Sequence, residues 1–201
     1  DLHGHYPELE GGDLLIVAGD FTRNDTDREV FEFSEWIEEQ LYRKIVYIAG
    51  NHDNFAQKFW VDTDDEGISY LCDSGTEFEG LKIWGSPWTK TFPGMNPHCK
   101  AFTVDTEEEL AEKWNMIPDD VDILVTHCPP HGCYLDQDRK GNMLGSISLR
   151  DRLRNLRPIL CVFGHIHEGY GSHPVTKPDS VNACLVNERY EPVNKPIRVI
   201  L

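Results

Sequence analysis

Four short apolar runs in this 201-residue sequence are each followed at once by residues that can hold metal ions or move protons. Leu-Leu-Ile-Val-Ala at 14–18 leads into Gly19-Asp20, and Ile-Val-Tyr-Ile-Ala at 45–49 into Gly50-Asn51-His52-Asp53. Ile-Leu-Val at 123–125 leads into Thr126-His127, and Ile-Leu-Cys-Val-Phe at 159–163 into Gly164-His165-Ile166-His167. Asp1-Leu2-His3-Gly4 follows the same grammar, with the strand that should introduce it expected before residue 1 and missing from the sequence. In open α/β sheets ligands bind beyond the carboxyl ends of the strands, so all these residues should converge on one edge.

The collected set is Asp1, His3, Asp20, Asn51, His127, His165 and His167, with His52 and Asp53 adjacent. Carboxylate, carbonyl and imidazole donors without thiolates suit Mn²⁺, Fe, Zn²⁺ or Ni²⁺. Seven donors exceed what one tetrahedral ion takes, but suit two ions that share a bridging carboxylate. Two ions about 3.5–4 Å apart can clamp the attacking and leaving oxygens of an in-line phosphoryl displacement. Singly, each residue has an ordinary structural reading: Asp20 and Asn51-His52-Asp53 as turns, a strand-end His as a hydrogen-bonding group. Core packing does not account for four runs that all end in ligand-type residues.

Composition narrows the chemistry. With 19 Lys+Arg against 35 Asp+Glu the net charge is −16, which argues against a protein that tracks long nucleic acids, because polyphosphate affinity comes from Lys and Arg. Positive charge for a phosphate substrate would then come from metal. Hydrophobic residues at 39% and charged residues at 27% exclude a disordered chain, and no apolar run reaches the ~18 residues of a membrane span. The six cysteines form no dense framework, so reduced thiols and a cytoplasmic setting are expected. Cys128, His131 and Cys133 suggest a zinc knuckle only weakly, since no second ligand pair accompanies them.

The elements that must position these residues alternate between strands and helices, as in an α/β fold built as one domain over 1–201. Thr26 with Glu29 and Thr106 with Glu109 are capping boxes, followed by Val30, Phe33, Ile37 and Leu41 on one face and by Leu110, Trp114 and Ile117. Ser148 is expected to cap a third helix carrying Leu149, Leu153 and Leu156 before Pro158. Short strand candidates at 68–71, 81–84, 183–186 and 197–200 suggest a second or mixed sheet. Residues 86–104 read as one long loop, whose Trp88 and Phe92 could line a cleft or an interface.

In order, Asp1-x-His3, Gly19-Asp20, Gly50-Asn51-His52-Asp53, His127 and Gly164-His165-x-His167 resemble the motif blocks of the calcineurin-like metallophosphoesterase superfamily. Thr-His-Cys-Pro-Pro at 126–130, Ser-Pro-Trp-Thr at 86–89 and the surroundings of His165 look most like the metallophosphoesterase-domain-containing proteins, themselves similar to class III cyclic nucleotide phosphodiesterases. The stretch after Asp20, Phe21-Thr22-Arg23-Asn24, lacks the Asp-Arg-Gly of phosphoprotein phosphatases.

The resemblance implies an α/β fold, a metallophosphoesterase-type sandwich of two mixed β-sheets flanked by α-helices. It implies that Asp1, His3, Asp20 and His167 hold one metal and Asp20, Asn51, His127 and His165 the other, with Asp20 as bridge. A metal-bridging hydroxide would attack phosphorus while the metals and Asn51 hold the non-bridging oxygens. His52 would protonate the leaving oxygen, and Asp53 would orient His52 by accepting its other ring N–H. Arg23, His5, His98 and His131 are candidate substrate contacts. The expected substrate is a small phosphodiester, a cyclic nucleotide being one candidate, with no membrane partner. A phosphomonoesterase of the same fold and a non-catalytic protein-binding scaffold are the alternatives.

Overall fold

The computed structural model describes residues 1–64, 67–173 and 178–201. Among them, β1 (Gly12–Ala18), β2 (Tyr42–Ile48), β3 (Thr63–Asp64) and β4 (Ile68–Tyr70) form a sheet in the spatial order β1-β2-β4-β3. The first two run parallel, as do β2 and β4, and β3 closes the edge antiparallel. Next come β5 (Ser74–Phe78) and β6 (Leu81–Ser86), then the two-residue β7 (Thr89–Lys90) and β8 (Thr103–Val104), which pair with each other. β9 (Ile123–Thr126), β10 (Leu160–Phe163), β11 (Gly171–His173) and β12 (Asp179–Asn182) join β5 and β6 in a second sheet of order β11-β12-β10-β9-β6-β5. Its centre is parallel and its two edge strands antiparallel.

The two sheets stack, with helices on their outer faces, because side chains alternate along each strand with period two. Ala18, Val46 and Ile48 of one sheet meet Ile83, Ile123, Val125, Val162 and Val181 of the other in a shared core. Val17, Ile45 and Tyr70 turn outward onto Phe33 and Ile37 of α1 (Asp27–Glu38), with Phe21 stacked 4.2 Å from Phe33. On the far side Leu124, Cys161 and Phe163 pack with Leu110 and Trp114 of α3 (Glu107–Trp114) and Leu149 of α4 (Ile147–Leu153). A short helix, α2 (Asn54–Phe59), follows the β2 loop. This is the expected sandwich of two mixed sheets flanked by helices.

Both capping boxes form: Thr26 accepts from the Glu29 amide and Thr106 from the Glu109 amide, and each Glu side chain reaches back. The third helix is corrected by two residues. Ser146 is its N-cap, accepting from Leu149 N at 3.1 Å, while Ser148 donates to Glu107 Oε2 at 2.8 Å and ties α4 to α3. Ser146 Oγ also donates to Glu107 Oε2 at 3.1 Å, so one carboxylate of α3 holds both hydroxyls at the start of α4.

Two strand expectations fail. At 183–186 the backbone leaves the sheet: Leu185 N donates to Asp1 O at 2.9 Å and Cys184 N to the Asn182 side chain at 3.1 Å. Cys184, Leu185 and Val186 are buried beneath the site instead. Residues 197–200 form no strand either, and Ile200 is exposed. The 86–104 stretch is mostly irregular as expected, but β7 and β8 pin its two ends together. Trp88 is partly buried against the core and donates to Asp73 Oδ2 at 2.7 Å beneath the Lys113 ammonium.

Gly85 of β6 packs directly against the first sheet, since a methyl group there would stand 2.5 Å from Leu71 Cβ and 2.7 Å from Ile48 Cγ2. Gly85→Ala is therefore expected to destabilise the fold by about 1–3 kcal/mol, the usual cost of overpacking. Calorimetry should show the unfolding midpoint falling by roughly 2–4 °C per kcal/mol lost. An unchanged midpoint would mean the sheets can part there without cost.

Candidate metal centre

Because β1 and β2 are parallel, and β9 and β10 are parallel, all four strands deliver their C-terminal residues to one edge of the sandwich. Asp20, Asn51, His127 and His165 follow directly from those ends. The start of the chain lies along the same edge, with Leu2 N and His3 N both donating to Asp20 O at 2.9 and 2.8 Å. Packing is tight: a Cβ on Gly50 would stand 2.6 Å from Asp20 N and 2.7 Å from His127 Cε1, so the position tolerates no side chain. His3, Asp20 and His165 have positive φ values of 48°, 45° and 67°, a strained conformation for residues other than glycine.

Two groups of donors meet around Asp20. In the first, His3 Nε2 lies 2.8 Å from Asp1 Oδ1, 3.0 Å from His167 Nε2 and 3.5 Å from Asp20 Oδ2. In the second, His127 Nε2 lies 3.3 Å from the same Asp20 Oδ2 and 3.0 Å from Asn51 Oδ1, with a His165 nitrogen within 4.8 Å of the Asp20 and His127 donors. Asp20 Oδ2 thus stands between the groups, while Oδ1 is anchored by the His52 amide at 2.8 Å. Asp1 is held by its other oxygen, which accepts from the His165 amide and from Cys184 Sγ.

Hydrogen bonds on the far side of the rings decide which atoms point inward. His127 Nδ1–H donates to Ala18 O at 3.2 Å and His167 Nδ1–H to Asn187 O at 3.0 Å, which leaves each Nε2 as a lone pair facing the centre. Asn51 Nδ2 donates to Cys99 O at 3.2 Å, so Asn51 presents its oxygen. His127 Nε2 and Asn51 Oδ1 are then two acceptors 3.0 Å apart with no proton between them, a repulsive contact that a cation reverses. Asp1 Oδ1 and His3 Nδ1 are buried without a hydrogen-bond partner among the described residues. Donor separations near 3 Å are what metal–donor bonds of about 2.0–2.2 Å produce. The donors present fit a pair of metal ions.

Protonation suits the same role. Burial pushes the His3 and His167 imidazoles down, and with help from His127 takes His165 to about 3, so all three are neutral donors at pH 7. Burial alone would raise the Asp20 carboxyl, but positive charge at His127 and His52 outweighs it and holds it well below the usual carboxylate range; with His127 Nε2 a lone pair, a cation between the two would supply that charge. Asp53 goes the other way, raised to about 7 by burial and by the charge of Asp20.

The role expected of Asp53 is corrected. Its oxygens accept from Thr22 N and Thr22 Oγ1 at 2.9 and 2.8 Å and from Gly50 N at 2.8 Å, so it braces the loops that carry Asp20 and Asn51. His52 Nδ1–H donates instead to the main-chain carbonyl of Arg23 at 2.7 Å, with Cys99 Sγ 3.3 Å away. A His52 ring nitrogen lies within 4.8 Å of the His3 and Asp20 donors. No side-chain geometry of this kind is readable from Asn-His-Asp spacing.

The candidate substrate contacts separate. Arg23 is exposed beside the cluster, with its guanidinium over the Tyr190 ring, and His5 Nε2 donates to Tyr190 O at 3.1 Å. His98 is exposed on the 86–104 loop with its carbonyl bound by Asn54, and His131 sits in a turn held to Ser146. Phe92, half exposed, has its ring 6.3 Å from that of His165. Among the described residues Cys128 and Cys133 join no cluster of metal donors. Cys99, Cys184, Asn187 and Tyr190 complete the site and were missed, because no motif or period marks them.

Comparison with known proteins agrees with this geometry. Residues 1–169 match the model of the calcineurin-like phosphoesterase family. Metallophosphoesterase domain-containing protein 1 of Homo sapiens is 37% identical over 96% of this chain, and a UPF0046 protein of Caenorhabditis elegans is 32% identical over 94%. The chain spans 66% and 54% of the lengths of those two relatives. A solved structure from Thermus thermophilus superposes with a TM-score of 0.52 at 15% identity, over 86% of this chain and 76% of its own, a likeness of fold alone. With all five motif blocks inside the matched stretch and their side chains meeting at one rim, the chain belongs to the calcineurin-like phosphoesterase family.

Proposed function

We propose that this chain is a metal-dependent phosphoesterase acting on small phosphodiesters. The observation that carries the reading is the placement of Asp20 Oδ2, 3.5 Å from His3 Nε2 and 3.3 Å from His127 Nε2, between two sets of inward-facing acceptors. Asp1, His3, Asp20 and His167 would hold one metal and Asp20, Asn51, His127 and His165 the other. Bound there, such a pair supplies an acidified water as nucleophile and charge to neutralise the phosphoryl oxygens. Manganese, iron, zinc and nickel all suit the donor set.

The chain's own residues do the rest. The neutral imidazoles stay neutral through burial, so they bind metal without first releasing protons. Asn51 contributes its oxygen, its amide nitrogen being engaged with Cys99 O. His52, held at Nδ1 by Arg23 O, has Nε2 left to carry a proton to the leaving oxygen. Arg23 supplies a cation beside the cluster, in a chain whose net charge of −16 disfavours long polyphosphates. Six free thiols, four of them buried, support a cytoplasmic setting, and no helix among the described residues is long and apolar enough to cross a membrane.

Hydrolysis of bis-nitrophenyl phosphate against nitrophenyl phosphate, with added Mn²⁺, tests the function. Preference for the diester is expected; preference for the monoester would make the chain a phosphomonoesterase, and silence on both would leave a scaffold. Asp20→Ala is expected to release both ions, so elemental analysis that still finds two per chain would end the bridging assignment. His52→Ala should lower kcat by roughly 10²–10⁴-fold on alkyl esters, the range of general acid catalysis, and far less on nitrophenyl esters, whose leaving group needs no proton. Equal losses on both would remove the acid role from His52.

A further inference from the structure

Residues 187–191 lie beyond the stretch that matches the family, yet they are built against the metal centre. The turn is fastened by its own side chains. Asn187 Oδ1 accepts from Arg189 N and Glu191 N at 2.9 and 3.1 Å, Asn187 Nδ2 donates to Glu191 Oε2 at 2.7 Å, and Tyr190 N donates to Asn187 O at 2.8 Å. This holds Tyr190 at φ +62°, a conformation uncommon for a bulky aromatic residue. The ring so presented lies 4.9 Å from that of His3, 5.5 Å from that of His167 and 5.9 Å from that of His52. The same ring carries the Arg23 guanidinium, whose central carbon is 4.9 Å from its centroid. Among the described residues no carboxylate pairs with that guanidinium.

We infer that Tyr190 is a positioning residue: its ring is the platform that holds Arg23 beside the metal donors, where the guanidinium meets the phosphoryl oxygens of the substrate. An exposed arginine loses much rotamer freedom when it binds an anion, and a ring that restricts it beforehand lessens that loss. The π face attracts the cation without neutralising it, as a carboxylate partner would. Tyr190 also packs edge-to-face against the His3 and His167 rings, so one side chain touches both the Arg23 guanidinium and two imidazoles of the first metal group. The inference rests on the phosphoesterase reading above and names how that site grips its anion.

The test uses the full chain reconstituted with Mn²⁺, bis-nitrophenyl phosphate as substrate and inorganic phosphate as competitive inhibitor. Tyr190→Ala is expected to raise KM and the phosphate inhibition constant roughly tenfold, with kcat changed far less and bound manganese unchanged. Arg23→Ala should do the same, the double variant should be no worse than either, and Tyr190→Phe should recover most of the loss. Tyr190→Leu fills the space without a π face and should behave like Tyr190→Ala; wild-type affinity in it overturns the inference even if the alanine variant unfolds. Losses that multiply in the double variant, or manganese lost along with affinity, would also overturn it, the latter making Tyr190 a brace for the imidazoles. Wild-type hydrolysis with unaltered constants in the variants sinks this inference alone, whereas a manganese-loaded wild type that hydrolyses neither ester and does not bind phosphate sinks the phosphoesterase reading as well.

Discussion

The structure depends on one buried anion. Asp20 lies at the meeting point of β1, β2 and β9, its Oδ1 fixed by the His52 amide and its Oδ2 shared between His3 and His127. A carboxylate so placed is costly unless positive charge or donors surround it. The surrounding imidazoles turn lone pairs toward it, so the centre as built is a concentration of acceptors that calls for cations to balance the carboxylate. Everything nearby serves that arrangement: Gly50 without a side chain, Asp53 bracing the loops, and the donor residues His3, Asp20 and His165 held at positive φ.

Backbone strain of that kind persists only where the surroundings over-determine it. Here the surroundings are the two stacked sheets. Ala18 and Ile48, fully buried in the core between the sheets, end the strands that lead into Asp20 and Asn51; Val125 of β9 shares that core ahead of His127, and Phe163, buried on the outer face, ends the strand that leads into His165. The hydrophobic core therefore acts directly on the chemistry. It fixes the four strand ends relative to one another, so the clustered donors have little freedom to relax away from their mutual repulsion.

Around the ligands, main-chain carbonyls do the orienting. Ala18 O, Asn187 O and Arg23 O each take a ring N–H, from His127, His167 and His52. These acceptors come from β1, from a C-terminal turn and from the loop after Asp20, and none involves a side chain that a motif could display. Sequence spacing alone therefore points to Asp53 as the partner of His52, where the fold supplies Arg23 O. Adjacent residues on a tight loop point in different directions, and Asp53 turns inward to the loop amides while His52 turns toward Arg23. The same limitation hid Tyr190 and Cys184, whose distance from the motifs along the chain exceeds any local period.

Local signals, by contrast, carried far. Apolar runs of period two or continuous burial, capping boxes with Glu three residues on, and ligand-type residues after strands were legible because each is a short-range consequence of backbone geometry. They determined the α/β class, two of the helix starts and the seven candidate ligands. Tertiary structure alone decided which serine caps α4, that the apolar run at 183–186 serves the site rather than a sheet, and which group holds each imidazole. Those outcomes rest on contacts between residues as far apart as Glu107 and Ser148, or Asn187 and His167. Their energies arise from distances that folding sets, and no window of the sequence contains both partners.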